Sequence, residues 1–466
     1  MDNLEKIMKR LIRLAVPWAL VACGANAATP SEDPRPANTR IVLRGTILAP
    51  DGPMKHGYVG IENGRIVSVS EKQPDLPGAI GVNTEGIILP GLVDLHNHVA
   101  WNALPRWHPG RLFTNRDQWI ADAEYHRLVA DPFNNAASTA FCDMNAWGEL
   151  RALIGGATSI MATQRKPCIH GLVRNLDFNS GFYGTIELNL EHIRDVLLLP
   201  APSEPERRAA FVSSAQKLIV EPFYEALSVH LAEGTDAVAE EEFTFMESHL
   251  LLNPKGVLIH GVSLVPHDFQ AMAAKGTALV WSPRSNIELY GATADLNAAL
   301  DAGVEVALAP DWAITGSGSM LDELKFAAKW NRDHLGGRLT DRQLVEMTTS
   351  VPAHIVGIDD EVGAIRAGLW ADLLVVRGDH NDPYAAVVRA GTADVQLELI
   401  GGVPLYGNGE LMASFWDPGG LENVTLPWGT KVLATSAAGF SPSQLAGRLG
   451  PVLQSAGTTL APLDEP

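Results

Sequence analysis

The sequence predicts an α/β protein in which a (β/α)8 barrel is joined to a small β-sandwich formed from segments before and after the barrel. Three observations support this fold class. Short apolar runs alternate with helical stretches from Ile87 onward, which is typical of a buried parallel sheet. Turn-rich β segments with Asp-Gly and Asn-Gly pairs precede that region, and further segments with a β-strand pattern follow it. The 466 residues suffice for a barrel and a smaller domain.

Eight apolar runs are the candidate barrel strands. The third and fourth, between Ile169 and Pro200, have the weakest pattern. In chain order the runs are GIILPGLVDLH, ATSIMAT, IHGLVRNLD, IRDVLLLP, ALSVHLAE, KGVLIHG, TALVWSP and VEVALAP. The predicted units are a signal segment with its tether (1–38), the first part of the sandwich (39–86), the barrel (87–362), the second part of the sandwich (363–411) and a C-terminal extension without an assigned role (412–466).

The N-terminal segment predicts export. From Met8, basic residues precede an apolar run that is too short to span a bilayer, which is the shape of a secretory signal. LVAC, residues 20–23, resembles a bacterial lipobox, so we expect Cys23 to carry lipid and to anchor a periplasmic protein. A plain cleavage site before Ala28 is the alternative. Export allows Cys142 and Cys168 to form a disulfide, and two independent buried thiols are the other interpretation.

The charge balance favours a small-molecule substrate as the partner. Lys and Arg total 35 against 54 Asp and Glu, a formal charge of −19. Since there is no basic patch or Arg-rich helix, nucleic acid is not an expected partner. Membrane contact is expected only through the lipid anchor, and the oligomeric state is left open.

The stretch LPGLVDLHNHV, residues 89–99, ends an apolar strand with two histidines that are two positions apart. His96 and His98 face the same side because side chains alternate along a strand. At the C-terminal end of a barrel strand that side is the mouth, where such enzymes place their chemistry. Three further runs close with His230, His260 and Asp311. Together these strand ends predict a metal site rather than separate core histidines.

These motifs resemble the amidohydrolase superfamily, within the branch of cytosine deaminase-like, s-triazine hydrolase-like and imidazolonepropionase-related enzymes. The resemblance covers about Arg40 to Gly407 and rests on LPGLVDLHNH, HLAEG, LIHG, SPRSN, LAPDWAITGSGSMLDELKFA and TTSVPAHIVGIDDEVGAIRAGLWADLLVV. It implies that a catalytic divalent metal is bound by His96, His98, His230 and Asp311. It implies that His260 handles a proton, or is a ligand where there are two metals.

The residue types agree with hydrolytic metal chemistry. Three imidazoles and one carboxylate suit Zn²⁺, with Fe²⁺ as the alternative. Asp311 is placed to take a proton from the attacking water, and His260 to stabilise the developing oxyanion or hold the hydroxide. In deaminase-like members of the superfamily a Glu in HxxE protonates a ring nitrogen of the substrate, and the resemblance implies this role for Glu233, three residues after His230. The alternative is an exposed Glu that opens the next helix.

Substrate contacts are predicted in two places. Arg284 and Asn286 in SPRSN follow the seventh strand, where they contact substrate or simply form a turn. The loop after the first strand carries Trp101, Trp107 and Trp119, which form a wall for a flat ligand or pack on one another as a lid. Pro310 and Trp312 bracket Asp311, where the family usually has smaller residues. The resemblance therefore does not identify a specific substrate for this chain.

The predicted activity is hydrolysis of a non-peptide carbon–nitrogen bond in a small molecule, either deamination or amide hydrolysis. The alternatives are a two-metal dipeptidase or N-acyl-amino-acid hydrolase, and a non-catalytic ligand-binding lipoprotein. One metal is expected because the fourth run carries no lysine that could bridge two ions. Lys166 precedes the third run, whereas Lys217 and Glu221 fall in a predicted helix.

Overall fold

The computed structural model of the chain describes residues 40–161, 168, 171–177, 193–195, 199–221 and 224–465. The strands, in chain order, are β1 (Arg40–Ala49), β2 (Gly52–Glu62), β3 (Arg65–Ser70), β4 (Ile80–Pro90), β5 (Leu92–Asp94), β6 (Ala157–Ile160), β7 (Arg174–Asn175), β8 (Ile193–Asp195), β9 (Ala226–Leu231), β10 (Gly256–His260), β11 (Ala278–Trp281), β12 (Val306–Leu308), β13 (Leu373–Val376), β14 (Val395–Ile400), β15 (Val403–Gly407), β16 (Leu421–Leu426) and β17 (Gly429–Ala434).

The α-helices alternate with the central strands. They span Arg116–Ile120, Ala123–Tyr125, Asp131–Ile154, Pro205–Val220, Ala237–Ser248, Pro266–Lys275, Pro283–Tyr290, Leu296–Ala302, Met320–His334, Asp341–Glu346, Ser350–Ile355, Pro383–Arg389, Gly409–Met412, Thr435–Ala438 and Pro442–Ser455. Many begin with a conventional cap. For example, Asn115, Asp236 and Ser319 each accept a backbone N–H from the first turn of the helix that follows.

Two parallel sheets position the predicted site. One has the order β12-β11-β10-β9-β8, and the other has the order β5-β6-β7. Their strands fall in the eight apolar runs identified in the sequence, with β8 at the start of the fourth run. Asn97 and Asp311 form an isolated parallel bridge just beyond the ends of β5 and β12, which joins the two sheets there. The C-terminal ends of four of these strands (β5, β9, β10 and β12) therefore carry the predicted metal ligands and His260.

A nine-stranded mixed sheet forms the second layer, in the order β16-β17-β15-β14-β13-β4-β1-β2-β3. Strands from before and after the central region meet where β4 pairs antiparallel with β13. The predicted small β-sandwich thus corresponds to one hydrogen-bonded sheet built from both parts of the chain. Aliphatic side chains of its central strands, such as Ile87, Leu374 and Leu397, are buried in the hydrophobic core.

Two predicted boundaries need correction. Residues Ile87–Pro90 belong to β4 of the nine-stranded sheet, so the first strand of the parallel sheets begins at Leu92 rather than at residue 87. Gly91 separates the two, and a Cβ there would lie 2.1 Å from the Thr158 side chain, so the close approach requires glycine. The second part of the sheet does not end at residue 411, because β16 and β17 extend it.

The rest of the C-terminal extension packs on the central region. Leu445, Leu449 and Leu453 of the last helix are buried in a cluster with residues of the helix Asp131–Ile154, and Arg448 forms an ion pair with Asp143 on that helix. The amphipathic spacing of these leucines is typical of a helix with one buried face. None of the helices in the described part of the chain is both long enough and apolar enough to cross a bilayer.

Candidate active site

Five titratable side chains converge where the parallel strands end. Nitrogen atoms of His96, His98 and His230 lie within 4.8 Å of one another, and so do ligand atoms of His96, His260 and Asp311. Asp311 Oδ1 lies 3.0 Å from His96 Nε2 and 3.3 Å from His98 Nε2. The structure therefore brings together all four predicted metal ligands and the predicted proton-handling histidine.

The turn that carries the two first histidines is fixed by a buried carboxylate. Asp94 accepts the backbone N–H of His96 (3.0 Å) and the side-chain amide of Asn97 (2.7 Å). Asn102 donates to Asn97 Oδ1 (2.8 Å) and accepts the backbone N–H of Ala313 (2.7 Å). The turn after β5 is thereby tied to the segment just beyond Asp311. No sequence pattern indicates this role of Asn102.

The backbone at the other strand ends adopts left-handed conformations. The φ angles are 53° at Ala232, 75° at His260 and 67° at Asp311. Non-glycine residues seldom take such values because the Cβ then crowds the backbone. Such strain persists where the surrounding structure overdetermines it, which is typical of functional sites.

Burial sets the charge state of the cluster. Burial lowers the pKa of His96 to about 4, although Asp311 acts in the opposite direction. Burial likewise holds the pKa of His230 well below its usual range. Burial opposes ionisation of Asp311, yet the imidazoles of His96 and His98 hold its pKa well below the ordinary value. Neutral imidazoles beside an ionised carboxylate are the forms that bind a divalent metal.

The residues present fit a metal ion. Both ring nitrogens of His230 and the Nε2 of His96 are buried and have no hydrogen-bond partner in the described part of the chain. Buried polar atoms are normally paired, and leaving such groups unpaired costs about 1–3 kcal/mol each. These nitrogens converge with ligand atoms of His98 and Asp311, and a bound metal ion would give His96 and His230 each a partner. The donor set, three imidazoles with one carboxylate, suits Zn²⁺.

Glu233 and His260 form a second pair beside the cluster. Glu233 Oε2 lies 3.7 Å from His260 Nε2, and both side chains are buried. The interpretation of Glu233 as an exposed helix-opening residue does not agree with this position. Tyr290 donates a hydrogen bond to Glu233 Oε1 (2.7 Å), a contact that the sequence analysis did not anticipate.

Asn286 contacts His260 in this structure. Its Oδ1 lies 2.9 Å from His260 Nδ1, and its amide donates to Thr293 Oγ1 (3.1 Å). Because the amide oxygen can only accept, the Nδ1 of His260 carries the proton and its Nε2 faces Glu233. Asn286, predicted as a substrate contact, therefore orients the histidine. Its neighbour Arg284 is half-buried, and its backbone N–H donates to Glu323 (3.2 Å).

The three tryptophans of the first loop occupy different places. Trp101 is half-exposed, stacks on Phe133 at 3.5 Å and lies 5.8 Å from the Trp312 ring, which in turn lies 5.3 Å from the His98 ring. Trp107 and Trp119 are buried in the aromatic cluster. Trp312 thus stands beside the ligand His98 and Trp101 stands beside Trp312, whereas Trp107 and Trp119 mainly pack the loop.

A buried ion pair anchors the strand end that carries His230. The guanidinium of Arg116 pairs with Glu242 and donates to the backbone carbonyl of His230 (3.4 Å), while Glu242 accepts the backbone N–H of Ala232 (2.7 Å). The backbone N–H of Arg116 also donates to the Glu233 carbonyl (3.2 Å). The first loop therefore holds the turn between His230 and Glu233 in place.

Residues predicted outside the metal cluster are placed as follows. Lys217 is exposed on the helix Pro205–Val220, and Glu221 follows the last residue of that helix. Lys166 and Cys23 lie outside the described residues. Cys142 and Cys168 are joined by a disulfide, with their Cα atoms 5.9 Å apart.

Comparisons with known proteins agree with this geometry. Residues 225–403 match the model of the Amidohydrolase family. The chain is 27% identical over 397 residues to a 5-methylthioadenosine/S-adenosylhomocysteine deaminase of Halobacterium salinarum, covering 76% of this chain and 87% of that protein.

Solved structures show the same fold. A zinc-bound adenosine deaminase from Xanthomonas campestris superimposes with a TM-score of 0.62 at 18% identity, covering 79% of this chain and 93% of that one. Guanine deaminase from E. coli gives a TM-score of 0.60 at 17% identity, covering 79% and 99%. The predicted resemblance is confirmed, and so is the enzyme class: a metal-dependent hydrolase of carbon–nitrogen bonds other than peptide bonds in a small molecule.

Proposed function

From the match to the amidohydrolase family, we propose that the protein is a single-metal deaminase that releases ammonia from an aminated aromatic heterocycle of the purine class. The observation that carries the proposal is the convergence of His96, His98, His230 and Asp311 beside the buried pair Glu233 and His260. A deaminase needs both parts, because water must be activated and the ring nitrogen must be protonated in the same step.

Each residue then has a defined task. A bound divalent ion supplies Lewis acidity, which lowers the pKa of water towards 7. The ionised carboxylate of Asp311 accepts a proton from the attacking water and passes it to the amino nitrogen of the substrate, so that the carbon–nitrogen bond breaks and ammonia leaves. Glu233 delivers a proton from Oε2 to the ring nitrogen of the substrate. His260, with its Nδ1 held by Asn286, presents Nε2 to Glu233 and stabilises charge that develops at the reacting carbon.

Two observations support an aromatic heterocycle as substrate. The Trp312 ring lies against the His98 ring and the partly exposed Trp101 ring lies against Trp312, and flat aromatic ligands stack on tryptophan rings. The similar proteins named above are deaminases of adenosine derivatives and of guanine. Trp312 directly follows Asp311, so the same turn positions the tryptophan ring and the carboxylate.

The test is ammonia release by Zn²⁺-reconstituted protein from 5′-methylthioadenosine, adenosine, adenine and guanine, with a hydantoin and an N-acyl amino acid as contrasting substrates. We expect turnover of at least one amine and none of the amides. Glu233→Gln should lower kcat by about 10²–10⁴-fold, whereas the exposed Glu240→Gln serves as the matched control. Turnover of the N-acyl amino acid alone would favour the dipeptidase-like alternative.

A single ion, Zn²⁺ in preference to Fe²⁺, is part of the proposal. Lys217 is exposed on a helix, which does not suit a lysine that bridges two buried ions. Without a bridging anion two dications would repel strongly in a buried site. Elemental analysis of the fully active enzyme should give one equivalent of metal per chain, and two equivalents would refute this part.

We further propose that the two parallel sheets close into a (β/α)8 barrel. The parallel bridge between Asn97 and Asp311, and the hydrogen bond from the His98 N–H to the Asp311 carbonyl (3.1 Å), support closure between the first and eighth strands. An experimental structure in which β7 and β8 pair would complete the ring of eight strands. One in which another element separates β7 from β8 would contradict closure.

Export and lipidation at Cys23 are proposed from the N-terminal sequence. The disulfide between Cys142 and Cys168 supports an oxidising compartment, since disulfides are rare in proteins of the bacterial cytosol. Cell fractionation tests the proposal. The protein should sediment with membranes, and Cys23→Ser should release it into the soluble fraction. Continued sedimentation of the variant would rule out the anchor.

A further inference from the structure

The hydroxyl of Tyr290 contacts the carboxylate to which the proposed function assigns proton delivery. Tyr290 ends the helix Pro283–Tyr290, is buried, and donates to Glu233 Oε1 at 2.7 Å. Trp119 of the first loop donates from its indole nitrogen to the Tyr290 oxygen, also at 2.7 Å. We propose that Tyr290 is a positioning residue that holds Glu233 for proton transfer, and that Trp119 secures Tyr290. This inference rests on the proposed deaminase function.

The direction of both hydrogen bonds follows from chemistry. An indole nitrogen can only donate, so the Tyr290 oxygen accepts from Trp119. The single proton of the hydroxyl is then directed to Oε1 of Glu233, which accepts whether or not Oε2 carries the proton to be delivered. Burial, together with the negative charge of Glu233, holds the pKa of Tyr290 well above its usual range. This shift favours the protonated hydroxyl, which is the form that donates to Glu233.

The contact leaves one oxygen of Glu233 for chemistry. With Oε1 anchored by Tyr290, Oε2 is the oxygen that lies 3.7 Å from His260 Nε2. His260 is anchored in the same manner, because its Nδ1 is held by Asn286. Each of the two groups thus has one atom fixed by a neighbour and the other directed at its counterpart. A carboxylate that could rotate freely would lose this alignment.

Trp119 connects this array to the first loop. Its ring lies 5.6 Å from the Trp312 ring and 5.0 Å from the Tyr125 ring, and it is almost fully buried. A buried indole that donates to Tyr290 acts on the substrate through Glu233 rather than as a wall. Its hydrogen bond makes the position of Glu233 depend on how the first loop packs.

The main test is Tyr290→Phe, which removes only the hydroxyl. We expect kcat to fall about 30-fold, since misplacing a proton-transfer group by about 1 Å costs up to about 10²-fold. KM and metal content should stay within about threefold of wild type. Tyr125→Phe is the matched control, because it removes a hydroxyl from a buried tyrosine that contacts the same Trp119 ring. Its kcat should stay within about twofold.

A Tyr290→Phe enzyme with wild-type kcat would overturn the proposal, and so would equal losses in both tyrosine variants. Trp119→Phe tests the same array from its other end and should lower kcat by about fivefold with little change in KM. It also decides the question if Tyr290→Phe does not fold. Unchanged kcat in Trp119→Phe would remove Trp119 from the proposal.

A crystal structure of Tyr290→Phe gives a readout that does not depend on turnover. The proposal predicts that the Glu233 carboxylate rotates or shifts by about 1 Å, away from His260 Nε2. A carboxylate that keeps its place would overturn the positioning role. If wild-type enzyme deaminates none of the amines tested, the proposed function fails, and this structural comparison alone decides whether Tyr290 positions Glu233.

Discussion

Two regions of the molecule bury polar atoms that have no hydrogen-bond partner in the described part of the chain. At the strand ends these include the ring nitrogens of His230 and the Nε2 of His96, and in the nine-stranded sheet they include both carboxylate oxygens of Glu398 and the hydroxyl of Tyr406. The strand-end atoms come from different elements and converge within 4.8 Å on further ligand atoms. Glu398 and Tyr406 simply face each other across β14 and β15.

The difference shows that an unpartnered buried group is not by itself a functional signal. Within the described residues, groups of three or more potential metal ligands occur only among the strand-end histidines and Asp311. Left-handed backbone also occurs there, at His260 and Asp311, but not at Glu398 or Tyr406. Convergence of ligand atoms together with left-handed backbone therefore distinguishes a functional site from buried polar groups that the core tolerates at a cost in stability.

Charge states separate the two regions in the same way. The imidazoles of His96 and His98 hold the pKa of Asp311 well below its usual range in spite of burial. Burial raises the pKa of Glu398 well above its usual range, and nearby Asp372 adds to this effect. The strand-end carboxylate is ionised and available to a cation, whereas the carboxyl of the sheet is neutral.

The strongest test of this comparison is Asp311→Asn. Loss of a ligand and of the proton acceptor should lower kcat by more than about 10³-fold and reduce bound metal. Because functional sites are often strained, the metal-free variant should unfold at the same temperature as metal-free wild type or higher. Asp359→Asn, in a surface pair with His354, is the control. Full activity of Asp311→Asn would remove Asp311 from the site.

Arg116→Met tests a buried polar group that does have a partner. The substitution leaves Glu242 buried without its cation, so we expect the free energy of unfolding to fall by about 3–4 kcal/mol. Urea unfolding at neutral pH measures the loss. Arg342→Met breaks an exposed pair with Glu346 and should cost less than about 1 kcal/mol. Equal losses in the two variants would show that burial of the pair is not what matters.

Much of the site was predictable because its signals are local. Strand alternation placed His96 and His98 on one side, and each further ligand closed an apolar run. Tyr290 and Arg116 gave no such signal, because their roles arise from contacts made across 57 and 126 residues. Sequence spacing does not encode which phenol or guanidinium will meet a given carboxylate.

The fold shows the same division. The eight apolar runs predicted the parallel strands, since both faces of such strands are buried. The run at Ile87–Pro90 was assigned to the wrong sheet, because a buried strand of either sheet has the same apolar pattern. The strands β16 and β17 were missed because their outward residues are polar and their partner β15 is distant in sequence.

Glu398 gives the smallest expected effect, and its direction depends on pH. The pKa of its carboxyl is raised in the folded protein by burial, whereas the unfolded chain ionises near the ordinary value. Above that ordinary value the unfolded state binds fewer protons than the folded state. The contribution to stability is therefore fully present at low pH and decreases as the pH rises towards the folded pKa.

Replacing Glu398 by Gln removes this ionisation while keeping the shape of the side chain. We expect the variant to match wild type near pH 5 and to be more stable by about 2 kcal/mol at pH 8. Urea unfolding at several pH values measures the difference, with the exposed Glu410→Gln as control. Other buried carboxyls, such as Glu149, are present in both proteins and cancel. Because the catalytic groups lie on other strands, kcat should not change. A pH-independent difference would mean that Glu398 has a partner which keeps it ionised, and the contrast between the two regions would then no longer hold.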